Sequence, residues 1–197
     1  MTGAHAKRKT SGRAFVVVGV ALVAAAVAVF AWQAAGVRAA EGRSGELCSQ
    51  ILGELDERVP VTAAAAGLDV AALPVLELRG VDVVARLQVA TIGLDVPVAA
   101  EGSDAALVPT RVARADGDEG KVLVAGSTYQ GDGAWERIGE LAGGEHVTLT
   151  GMTGASQEYV VVSAGRTKAD FDDDFDLLMY YEDELGNKTW AGCTKVS

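Results

Sequence analysis

Reactive side chains are scarce in this sequence. Its 197 residues include two cysteines, Cys48 and Cys193, and two histidines, His5 and His146. Two cysteines are too few for the disulfide framework that holds small secreted domains together. No Ser, Asp or metal-ligating partners are grouped around His146, which reads as a surface or edge-strand residue rather than a base. Acidic residues are missing from one end of the chain: none of the 27 Asp and Glu precedes Arg38, and residues 14–32 carry no charge at all. A stretch that apolar excludes a solvated loop.

Those nineteen residues of Ala, Val, Leu, Phe, Gly and Trp approach the roughly 20 needed to cross a bilayer. His5, Lys7, Arg8, Lys9 and Arg13 precede them and no Lys or Arg follows before Arg38. The positive-inside bias therefore predicts a cytoplasmic N-terminus and an extracellular remainder, with Trp32 as an interfacial anchor. The run exceeds the h-region of a cleaved signal peptide and no Ala-x-Ala site follows, so an uncleaved single-pass signal anchor is expected. After Arg38, 12 of the 17 Lys and Arg face all 27 acids, a formal net charge of −15. That balance excludes a nucleic-acid partner, because phosphates need clustered cations.

Four regions follow: a basic cytoplasmic tail (1–13), the transmembrane anchor (14–36), a stalk and linker (37–72), and a folded domain (73–197). Leu47, Ile51, Leu52 and Leu55 recur at helical spacing behind Ser44 as N-cap, which predicts a short amphipathic stalk helix ended by Val59-Pro60. Cys48 falls in this stalk, so no pairing with Cys193 is expected. From Val75 onward, short β-rich runs separated by Gly, Asp and Pro predict an all-β sandwich or barrel. Strands are expected at 75–78, 83–89, 94–98, 121–125, 146–150, 158–165, 176–182 and 188–193. Eight suffice to close a barrel. A short helix over 134–141 should place Trp135, Ile138 and Leu141 on one buried face.

The order of motifs from Leu73 to the end resembles the sortases, membrane-anchored cysteine transpeptidases of Gram-positive cell surfaces, of the small class B and class D kind. Leu73-Pro74-Val75-Leu76-Glu77-Leu78, the segment Val89-Ala90-Thr91-Ile92-Gly93-Leu94-Asp95-Val96-Pro97-Val98, and Trp135-Glu136-Arg137-Ile138-Gly139-Glu140-Leu141 followed by Gly143-Gly144-Glu145-His146-Val147 carry it. The resemblance implies a sortase-like eight-stranded β-barrel. It also implies a site built from a histidine, a cysteine and an arginine, the proton donor, nucleophile and oxyanion partner that such acyl transfer demands.

At those positions this chain differs. The family's "A-G-H" is Ala125-Gly126-Ser127, and serine cannot shuttle protons near neutral pH. The strand that ends in the family's cysteine lies over 176–181, putting Glu182 at the nucleophile's place, while the arginine position falls on Lys188 or Thr189. Lysine lacks arginine's two-pronged donor. In a second alignment Thr189-Trp190-Ala191-Gly192-Cys193-Thr194 imitates the cysteine motif, making Cys193 the nucleophile of an active transpeptidase that attaches surface proteins to the cell wall. The Gly186-Asn187 turn favours the first alignment, a hairpin with Cys193 as a buried structural thiol. The expectation is thus a catalytically degenerate sortase-family domain with no cofactor and no metal. Its partners would be a sorting-signal peptide of the L-P-x-T-G kind, a pilin or surface protein, or an active sortase. The acidic run at 170–176 lacks the glycine and ligand spacing of a calcium loop and reads as a solvated loop with Phe171 and Phe175 turned inward.

Overall fold

The computed structural model describes residues 11–59, 68, 73–100, 110–114, 122–126, 133–169, 171, 175–183 and 185–196. Two compact units emerge, Met1–Ala39 and Ala40–Ser197. One long helix, α1 (Ser11–Arg58), opens the chain, so Ser44 is a buried position inside it rather than an N-cap. In the first unit, Leu22, Val23, Val27, Val29, Phe30 and Trp32 are each more than half exposed. Among the described residues, no helical stretch is long and apolar enough to cross a membrane.

In the second unit nine strands follow: β1 (Leu76–Leu78), β2 (Val81–Val89), β3 (Leu94–Ala99), β4 (Thr110–Arg114), β5 (Val122–Gly126), β6 (His146–Gly151), β7 (Ser156–Thr167), β8 (Leu177–Glu182) and β9 (Lys188–Lys195). Their order is β1-β2-β3-β4-β5-β8-β9-β7-β6, and a further pairing of β2 with β6 closes the ring of eight strands from β2 round to β6. Closure removes the open edges that would invite pairing with other chains. Strand β1 extends the edge of β2 outside that ring, pairing with Val81–Val83.

Eight of these strands fall on the expected runs. The ninth, β4, is a correction: Thr-Arg-Val-Ala-Arg has one aliphatic β-branched residue, Val112, and takes its place by pairing along its whole length with β5. Inside the ring, Leu87, Leu94, Leu149, Tyr159, Leu177 and Met179 are fully buried. The short helix α2 (Ala134–Arg137) continues as a 3-10 turn (Ile138–Glu140), and Trp135, Ile138 and Leu141 are buried on one face as expected.

The second unit also takes in the end of α1. Ile51 and Leu55 of α1, and Val59 one residue past its end, repeat every four residues and bury against Leu78, Val81, Val83 and Ala99. Polar contacts flank this seam. Arg86 donates to both oxygens of Asp95 at 2.7 Å each and to Asp56 of the helix at 2.6 Å, while Arg79 pairs with Glu54.

Candidate functional site

The β8–β9 hairpin is held by its turn. Asp183 accepts the amides of Leu185 and Asn187 at 2.9 and 2.8 Å and the Asn187 side-chain amide at 2.6 Å, and Gly186 takes the positive φ of 74° that the turn requires. The Asn187 side chain, followed by its backbone amide, holds the Asp183 carboxyl below the usual carboxylate range. Strand β8 also pairs in parallel with β5, ending at Ala125 opposite Tyr180. In this way the ends of β5, β7, β8 and β9 arrive together.

A cleft of about 690 Å³ opens there, lined by Glu136, Arg166, Thr167, Lys168, Tyr181, Asp183, Asn187 and Thr189. This volume lies within the roughly 300–1,000 Å³ of ordinary ligand sites. The register explains the lining. Arg166 of β7 is opposite Thr189 of β9, and Thr189 is opposite Tyr181 of β8, so three residues on one face form a row across three strands. From the other side Gly139 seats against the Thr189 methyl, where an added Cβ would meet it at 2.7 Å. Likewise the Trp135 ring lies on Gly126, so close that any Cβ would fall 2.2 Å from it.

The residues singled out from the sequence distribute unevenly. Thr189 lines the cleft. Glu182 and Lys188 face each other one step along the strands, on the opposite face from the Tyr181–Thr189 pair, because neighbouring side chains alternate. Glu182 is exposed, and the Lys188 ammonium lies 5.2 Å from the Phe171 ring centre. Ser127 lies outside the described residues, as do 170 and 172–174 of the acidic run. Phe171 and Phe175 are half-buried and pack on the outer face of the hairpin rather than in the interior: Phe171 meets Tyr180 and Trp190, and Phe175 meets Trp190 and covers Gly192. Among the described residues no group of three His, Cys, Asp or Glu side chains could hold a metal.

Cys193 sits opposite Leu177, at the end of the hairpin away from the turn. It has no exposed surface, and burial pushes its thiol from 9.0 up to about 12. Cys48 is buried too, and both cysteines are free. His146 is exposed on β6, with Nδ1 2.6 Å from Glu158. Neither cysteine, nor His146, lines the cleft.

Sequence reasoning missed Glu136, Arg166, Thr167, Lys168, Tyr181, Asp183 and Asn187 as lining residues. The signal is the pairing register of β7 with β9, which no single strand contains.

No family model and no curated protein matches the chain. In fold it is similar to sortases of several classes. A Clostridium perfringens sortase D5 transpeptidase aligns over 59% of this chain and 80% of its own, at 16% identity and TM-score 0.46. Sortase A of Corynebacterium diphtheriae aligns over 59% and 62%, at 13% identity and TM-score 0.48. Sortase A of Listeria monocytogenes aligns over 58% and 88%, at 19% identity and TM-score 0.46.

Proposed function

We propose that the chain is a membrane-anchored, extracellular member of the sortase family that binds an extended peptide in the cleft at the β8–β9 hairpin without performing transpeptidation. The binding of a sorting signal, a pilin or another surface protein, and attachment through α1, are parts of this reading. The observation that carries it is the distance between the reactive side chains and the cleft: Cys193 is buried at the far end of the hairpin and the cleft's described lining contains neither thiol nor imidazole. Acyl transfer of this kind needs a thiolate as nucleophile and an acid for the leaving amine. A thiol raised to about 12 is protonated at neutral pH.

The membrane arm rests on the uncharged run at 14–32 and on the exposure of Leu22, Val23, Val27, Val29, Phe30 and Trp32. Large apolar residues exposed side by side along a helix favour a lipid or protein environment over water. Protease added to intact cells should therefore remove the chain after Arg38 and spare the N-terminus. Protection of both ends would refute the topology.

The chemical test incubates the full chain in detergent micelles with a fluorogenic Leu-Pro-x-Thr-Gly peptide and a glycine nucleophile. No product above the peptide-only rate is expected, and the peptide should still quench or polarise on binding. An acyl adduct on Cys193, found by mass spectrometry, would reinstate the active transpeptidase.

A further inference from the structure

Two cations line the walls of the cleft, Arg166 and Lys168. Asp183 is committed to its own turn through three hydrogen bonds, and Lys168 is the cation whose field acts on it. Arg166 makes no ion pair among the described residues, and neither does Glu136 on the helical wall. The backbone of Arg166 is fixed one residue before β7 ends, by its pairing with Thr189. That partner is one of the two positions, Lys188 and Thr189, on which the family's arginine falls in the sequence alignment. Arg166 therefore lines the cleft from the neighbouring strand, beside Thr189.

We propose that the cleft selects a peptide carrying a carboxylate side chain, and that Arg166 receives this carboxylate. The proposal rests on the peptide-binding reading above and names the ligand's chemistry. Arginine's planar fork donates two parallel hydrogen bonds to a carboxylate, a geometry that lysine cannot reproduce. Thr167, Thr189 and Tyr181 line the same cleft, residue types suited to the backbone of an extended segment. Glu136, which lines the cleft from α2, repels an acid placed beside it, and that gives the cleft a direction. The net charge of −15 after Arg38 opposes every acidic ligand in the same way, wherever its acid lies. Contact with Arg166, by contrast, depends on the acid's position in the peptide. Dependence on position is thus the signature to look for.

The test measures fluorescence anisotropy of the full chain in detergent micelles with labelled, C-terminally amidated peptides on a Leu-Pro-Ala-Thr-Gly frame. Each peptide carries one Glu, or one Gln, or one Lys, at a different position. At one position Glu should bind about tenfold tighter than Gln, the worth of one partly screened charge-assisted pair. Arg166→Gln should erase that gain with an unchanged thermal midpoint, Arg166→Lys should keep part of it, and Lys168→Gln should leave it in place. Equal binding of the Glu and Gln peptides at every position overturns the carboxylate proposal while peptide binding stands. A preference for Lys, or a Glu gain that survives Arg166→Gln, overturns it too. Absence of binding by any peptide overturns the proposal together with the reading on which it rests.

Discussion

At the scale of single residues, the barrel interior holds two ionisable groups that must stay neutral. Burial raises Cys193 from 9.0 and Tyr159 from 10.0, each to about 12, with the charges of Asp176 and Cys193 adding to the Tyr159 shift. Folding therefore holds these protons more tightly than the unfolded chain does. Their contribution to stability is complete below about pH 9 and is lost as the pH climbs to about 12. The urea midpoint should be level between pH 7 and 9 and fall steeply above. Tyr159 carries a second cost: its hydroxyl is fully buried without a hydrogen-bond partner among the described residues. Tyr159→Phe removes both the orphan hydroxyl and one titration. It should raise stability by up to about 1 kcal/mol at pH 7 and soften the alkaline fall. A loss of stability at pH 7 would mean that the hydroxyl has a partner such as an enclosed water.

At the scale of elements, what was legible in the sequence follows from local signals. The β8–β9 hairpin shows itself because Gly186-Asn187 punctuates two apolar runs, and Asp183 then ties the turn. The amphipathic end of α1 shows itself because Leu47, Ile51, Leu52 and Leu55 repeat at helical spacing. Strand β4 stayed hidden because its partner β5 supplies what its composition lacks. The cleft stayed hidden for a related reason. Period-two alternation means that a shift of one residue in the alignment exchanges Glu182 for Tyr181, the exposed face for the lined one. Packing of α1 on β1–β3 was equally invisible, because a stalk helix and a docked helix have the same stripe. Ile51→Ala should decide its worth: Ile51 is fully buried, so the cavity and lost transfer should cost about 2–4 kcal/mol in urea unfolding. The exposed Glu57→Ala should change stability by less than about 0.5 kcal/mol. Equal effects would mean that the helix is not docked in solution.

At the scale of the molecule, the seam between α1 and the barrel sets where an independent unit can begin. Ile51, Leu55 and Val59 cover Leu78, Val81, Val83 and Ala99. Each fully buried aliphatic side chain is worth about 1.5–3 kcal/mol, so losing all three approaches the whole stability of an ordinary domain. Removal of the helix also takes Asp56 from Arg86 and Glu54 from Arg79. Arg79 stands at a φ of 54°, a left-handed conformation that a non-glycine residue adopts at a cost, so its turn would lose support as well. A chain of residues 40–197 should therefore elute as a compact monomer in size-exclusion chromatography and unfold in one transition. A chain of residues 73–197 should bare an apolar strip along β1 and β2, beside the edge that β1 already presents. It should associate or melt about 10 °C or more lower, because a deficit of about 5 kcal/mol at roughly 2–4 °C per kcal/mol moves a domain of this size by that much. Two well-behaved monomers with equal midpoints would instead mark residues 40–72 as a tether, and the barrel alone as the folding unit.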